Sequence, residues 1–154
     1  MTMRRWRRQV SPLAPNNPGT SVFTAEDLAA LAAVTRDTPI VVLSDEVYEH
    51  MVYDGAPHVS AASIPALAER AFVVSSFGKT YHVTGWKVGT VVAPAPLTTE
   101  FRKVHQFNVF TVNTPMQHAL AAHMADPAPY LQLSAFYQRK RDLFRDGLAA
   151  TRFT

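Results

Sequence analysis

Two short apolar runs constrain this chain more than any other feature. Ile40-Val41-Val42-Leu43 is continuous, β-branched and apolar, and it stops at Ser44-Asp45-Glu46. Ala71-Phe72-Val73-Val74 repeats the design and ends at Ser75-Ser76. Unbroken apolar runs of this length read as strands buried on both faces, as in parallel sheets, rather than as amphipathic hairpin strands. Helical patterns flank them. Thr24-Ala25-Glu26-Asp27 is a capping signal ahead of an apolar helical stretch from Leu28 to Val34, which Thr38-Pro39 closes. A short helix is expected near Pro65 to Arg70, and a third strand from Val88 to Ala93. The remainder reads as helices: Thr98 to about Phe107, a capped segment opening at Thr114-Pro115-Met116-Gln117 and running to about Met124, and a long helix from about Tyr130 to Ala150. Alternating strands and helices indicate an α/β layer architecture. Three strands are few for such a sheet, and a sheet of three would leave apolar edges unpaired.

Composition excludes several classes. The chain has 154 residues, 47% hydrophobic and 18% charged, enough to close a core. It has no cysteine, so disulfides, thiolate metal sites and cysteine nucleophiles are ruled out. No apolar run approaches the roughly 20 residues of a membrane span. The net charge of +3 becomes −1 once Arg4, Arg5, Arg7 and Arg8 are set aside, so the body of the chain is not basic and no nucleic-acid partner is expected. The Arg-rich stretch over residues 1–15 is expected to be poorly ordered and separate from a domain over 16–154. The sequence Arg7-Arg8-Gln9-Val10-Ser11-Pro12 does not read as a strand. His50, His58, His82, His105, His118 and His123 show no metal spacing, His118 and His123 being five apart rather than four, so no metal is expected.

Chemistry gathers where the two apolar runs end. In open α/β sheets ligands sit at the carboxyl ends of strands. Asp45 closes the first run, Ser75 and Ser76 close the second, and Lys79 follows three residues later. An acid and a lysine at adjacent strand ends suit a heteroaromatic aldehyde cofactor, the acid pairing with the ring nitrogen and the lysine forming an imine.

Asn17-Pro18, Ser44-Asp45-Glu46-Val47-Tyr48, Ser75-Ser76-Phe77-Gly78-Lys79-Thr80 and Thr84-Gly85-Trp86-Lys87-Val88-Gly89 together resemble the class I aminotransferases, pyridoxal-phosphate enzymes of fold type I, and within them the methionine, kynurenine and glutamine subgroup. Order and spacing both fit, with 34 positions from Asp45 to Lys79 and eight from Lys79 to Lys87. The resemblance runs from about Ala14 to Phe153. It implies a partial three-layer α/β sandwich, pyridoxal 5'-phosphate as cofactor, amino acid and 2-oxo acid substrates, a homodimer, no membrane partner and a cytoplasmic location. It implies that Lys79 is the catalytic amine and imine former, that Asp45 binds the pyridine nitrogen, that Tyr48 and Asn17 bond the ring O3′, and that Ser76 and Lys87 hold the phosphate, with Lys where many relatives carry Arg. Phe110 matches a position lining the neighbouring subunit's substrate pocket. The parent reaction implied is transfer of an amino group from a methionine- or kynurenine-like donor to a 2-oxo acid. A pyridoxal-phosphate lyase of the same fold and a non-catalytic aminotransferase-like regulator remain open alternatives. Family chains are more than twice this length, and the glycine-rich phosphate loop, the ring-stacking aromatic and the carboxylate-clamping arginine find no match here. The chain is therefore expected to be a truncated large-domain segment, inert in isolation.

Overall fold

The computed structural model describes residues 9–11, 15 and 21–152. A four-stranded sheet carries the strands in chain order: β1 (Gln9–Val10), β2 (Val41–Asp45), β3 (Ala71–Ser76) and β4 (Gly89–Val92). β1 and β2 pair in parallel, as do β2 and β3. β4 runs antiparallel to β3, with Val74 opposite Val91 and Ser76 opposite Gly89. Two expectations are corrected here. Gln9–Val10 is a strand despite its polar flanks, because its backbone completes the otherwise open edge of β2. The sheet is mixed rather than all parallel, because residues 77–88 return the chain to the same end of the sheet without a long crossover helix.

α1 (Ala25–Thr35) starts as its sequence dictates. The Thr24 N–H donates to Asp27 Oδ2 at 2.9 Å and the Asp27 N–H donates to Thr24 Oγ1 at 3.2 Å, closing a capping box. Its far end is capped from a distance. The Arg70 guanidinium donates to the carbonyls of Thr35, Thr38 (3.1 Å) and Arg36 (3.2 Å), placing a cation on the orphan acceptors of the helix C-terminus. α2 (Pro65–Ala68) follows a 3₁₀ turn at Ala61–Ser63.

The core lies on one face of the sheet. Leu28 and Ala32 of α1 pack with Val42, Ala61, Leu67 and Ala71, and Phe23, Leu31, Val59, Ile64 and Val73 surround them. Burial therefore alternates along β2, with Val42 and Ser44 buried and Val41, Leu43 and Asp45 only partly so. That differs from the expectation of burial on both faces. α1 and residues 59–67 cover one side, whereas the other is covered partially, Phe72 meeting Phe101 with ring centroids 6.1 Å apart. Phe101 belongs to α4 (Ala95–Asn108), so helices lie on both faces and the three-layer α/β arrangement holds.

The C-terminal half is helical: α3 (Phe77–Thr80) and α4 lead to α5 (Thr114–His123), α6 (Ala128–Leu131) and α7 (Leu133–Leu148). The cap of α5 is Asn113, whose Oδ1 accepts from the Met116 N–H at 3.3 Å, rather than Thr114. The single long helix expected from Tyr130 is divided at Gln132 into α6 and α7. α7 is tied back to the turn after β2: Arg141 forms a two-pronged ion pair with Asp54, at 2.5 and 2.6 Å, and the Ser134 hydroxyl donates to the Val52 carbonyl.

Candidate functional site

Register and the two-residue period of strands decide which side chains share a face. Asp45 stands opposite Val74 on β3, and Ser76 is two residues beyond Val74. Asp45 and Ser76 therefore project from the same face, at the carboxyl ends of neighbouring parallel strands. This is the face opposite the core. Asp45 is partly buried, and its Oδ1 accepts from the Val47 N–H at 3.2 Å, which turns the chain out of the strand. Tyr48 follows in that turn, also partly buried, its carbonyl accepting from the Met51 N–H.

Ser76 ends β3 and caps the single turn α3, its Oγ accepting from the Gly78 N–H at 3.1 Å. Lys79 lies on that turn with its side chain exposed. The turn is braced by the segment that follows, since the Thr84 hydroxyl donates to the Gly78 carbonyl at 3.1 Å. A β-carbon at position 78 would lie 3.0 Å from Thr84 Cα and 3.2 Å from Ser76 Oγ. Glycine is needed there by close approach. Gly89 is tighter still, its absent β-carbon falling 2.6 Å from the Ser75 carbonyl. Lys87, at the end of the 3₁₀ turn Thr84–Trp86, is exposed and left-handed with φ of 55°.

One described candidate residue, Phe110, does not join this group. Asn17 lies outside the described residues. Phe110 is in the α4–α5 connection, left-handed with φ of 69° and 78% exposed.

The opposite face of the same strand ends holds a network that motif reading passed over. Glu46 is 2% exposed. Its Oε1 accepts from the Ser44 hydroxyl (2.8 Å) and the Ala61 N–H (2.9 Å), and its Oε2 lies 2.9 Å from His58 Nε2. Burial pushes this carboxyl upward, but the hydrogen bonds from His58, Ala61, Ser60 and Ser44 outweigh it and hold the group below the usual glutamate range. His58 Nδ1 is buried without a hydrogen-bond partner among the described residues. Strand period alone signals the burial of Glu46, because Val42, Ser44 and Glu46 share a face; nothing local signals His58, twelve residues on. Donor atoms of Glu46, Glu49 and His58 lie within 4.8 Å of one another, but both Glu46 oxygens already have donors. Ser75, named in the sequence only as closing the second run, donates to Glu49 at 2.6 Å, and the pair borders a cavity of about 350 Å³ with Ser76, Thr80, Tyr81, Thr90 and Tyr130. Among the described residues no helix is long and apolar enough to cross a membrane.

The family described as "Aminotransferase class I and II" matches residues 13–154. The methionine aminotransferase of Escherichia coli K12 is 51% identical over 139 residues, covering 90% of this chain and 36% of its own length. Human kynurenine–oxoglutarate transaminase 1 is 45% identical over 107 residues, covering 70% of this chain and 25% of its own. Among solved structures, Escherichia coli YbdL, reported with a methionine aminotransferase function, superimposes with a TM-score of 0.91 at 50% identity over 94% of this chain and 39% of that one. The Mycobacterium tuberculosis N-succinyldiaminopimelate aminotransferase gives 0.86 at 34% identity over 92% of this chain and 37% of that one. The chain thus spans about a third of the length of the curated relatives it matches.

Proposed function

The chain belongs to the class I and II aminotransferases, and from that premise we propose that residues 16–154 carry the cofactor side of an aminotransferase large domain. The cofactor is pyridoxal 5'-phosphate, and the reaction moves an amino group from an amino acid to a 2-oxo acid. The relatives named for methionine and kynurenine favour donors with sulfur-containing or aromatic side chains. When bound, the cofactor supplies an aldehyde for capture and a cationic ring that accepts electron density from the substrate Cα.

The residues of this chain supply the rest. Lys79 is the amine that would hold the cofactor aldehyde, and the same amine would move a proton at the substrate Cα. Asp45 would pair with the pyridine nitrogen and favour its protonated form through charge. The Tyr48 hydroxyl, together with Asn17, would hold the ring oxygen. Ser76 and Lys87 take the phosphate, Lys87 as a point charge without the two-pronged geometry of an arginine. Phe110 serves the substrate pocket of a second copy in a homodimer.

One observation carries this reading: Asp45 and Ser76 share a face at the carboxyl ends of adjacent parallel strands, with Lys79 on the next turn. The donor set fits the cofactor's chemistry, with one carboxylate for the nitrogen, one amine for the aldehyde, and a hydroxyl and an ammonium for the phosphate. The test is a titration of the purified chain with pyridoxal phosphate, followed by absorbance. A band near the visible edge that Lys79→Ala abolishes supports the assignment; identical spectra for the two proteins refute it. Methionine with a 2-oxo acid then tests amino transfer in the same preparation.

A further inference from the structure

Ser75 and Glu49 stand outside the group assigned above. Ser75 alternates with Ser76 and so belongs to the face opposite Asp45. Its hydroxyl donates to Glu49 Oε1 at 2.6 Å, across 26 residues of sequence. A short hydroxyl-to-carboxylate bond is among the stronger kinds. Glu49 comes four residues after Asp45 and directly after Tyr48, while Ser75 directly precedes Ser76 and the turn bearing Lys79. The bond therefore joins the loop leaving β2 to the end of β3.

The main-chain ladder between these strands extends to the Glu46 N–H, which donates to the Val74 carbonyl at 2.8 Å. Past that rung the two segments diverge, one into the 46–50 turn and the other into α3. Glu46 fastens the turn to residues 58–61 on the core side of the sheet. Glu49 fastens it toward β3. Ser75 and Glu49 also line the 350 Å³ cavity, beside Ser76 and Thr80.

We propose that this bond is a strap that holds the Asp45–Tyr48 turn at a fixed separation from the Ser76–Lys79 turn. Ser75 and Glu49 are then positioning residues for cofactor capture, an inference that rests on the assignment of Asp45 and Lys79 above. The strap keeps the ring-nitrogen partner and the aldehyde-capturing amine in register before the cofactor arrives, so that its ordering cost is met during folding rather than during binding.

The strap can be tested with and without cofactor. In the cofactor-free chain, amide exchange reports on the Val47 N–H, bonded to Asp45, and the Gly78 N–H, bonded to Ser76, with the Leu67 N–H in α2 as an internal reference. Ser75→Ala is expected to speed exchange at Val47 and Gly78 together by about tenfold and to leave Leu67 unchanged, the scale of losing one hydrogen bond to a charged group. The dissociation constant for pyridoxal phosphate, titrated by absorbance, is expected to rise by about the same factor. Ser75→Thr restores the hydroxyl and both readouts. Glu49→Gln keeps an acceptor and lies nearer the parent than Glu49→Ala does. Unchanged exchange at both amides overturns the strap, as does unchanged affinity despite faster exchange. If the parent and Lys79→Ala proteins titrate alike, the cofactor assignment is what fails, and the exchange arm alone decides the strap.

Discussion

Residues 21–93 and residues 95–148 handle apolar surface in opposite ways. The first segment packs Leu28, Ala32, Val42, Ala61, Leu67 and Ala71 into one cluster against the sheet. The second buries Leu120 and Leu133, while Val104, Phe107, Phe110, Leu143 and Phe144 remain largely exposed. α4 has no buried residue at all. A strand pair with a capped helix laid across it closes a core within a short length of chain. Successive helices close one only where their apolar stripes find a facing layer. Apolar content is similar in kind across the two segments; what differs is whether a second surface stands opposite.

The polar contacts differ too, between the interior of the first segment and the seam joining it to the second. Glu46 is enclosed by four neighbours, whereas Asp54 and Arg141 meet near the surface, where an ion pair competes with water.

The sharpest way to break this contrast is to empty the closed core. Leu67 is fully buried, and Leu67→Ala is expected to destabilise the chain by about 2–5 kcal/mol in urea unfolding, through lost transfer energy and the cavity left behind. A loss below about 1 kcal/mol would mean that the cluster does not pack as a unit.

Glu46 gives a smaller, pH-dependent effect. Its carboxyl is held below the ordinary value of 4.5, so the unfolded chain binds the proton more readily than the folded one does. Its contribution is fully present above about pH 4.5 and fades as pH falls through the lower, folded value. Unfolding midpoints taken between neutral and acid pH are expected to fall less steeply for Glu46→Gln than for the parent. Parallel curves would remove Glu46 from the acid response.

The smallest effect belongs to the open half. Phe107, 88% exposed, and Phe144, 68% exposed, are expected to tolerate serine with stability changes within about 0.5 kcal/mol by the same unfolding assay. A large loss would show that these rings are packed in solution and would erase the contrast between the two segments.

Much of the site is local and therefore legible in the chain. Asp45, Ser76 and Lys79 stand out because each closes or follows an apolar run, and strand ends are where open α/β sheets present polar groups. The α1 capping box is equally local, its partners being three residues apart. The β1 strand was not legible, because a two-residue strand takes its hydrogen bonds from β2, some thirty residues away, and needs no apolar pattern of its own. The direction of β4 was hidden for a similar reason: its residues specify a strand, but the return path through residues 77–88 specifies its sense.

By itself, the sequence determined the two central strands, the first turn of α1, and the order in which an acid, a hydroxyl and an amine leave the sheet. Those properties depend on side-chain period and capping, which act over a few residues. Tertiary structure decided which face of β2 is buried, that Arg70 caps α1, that His58 meets Glu46, and that Ser75 holds Glu49. Each of these joins groups 12 to 35 residues apart. Such a partner exists only after the chain has closed on itself, because a buried polar group is satisfied by whatever the fold brings within hydrogen-bond reach, not by its neighbours in sequence.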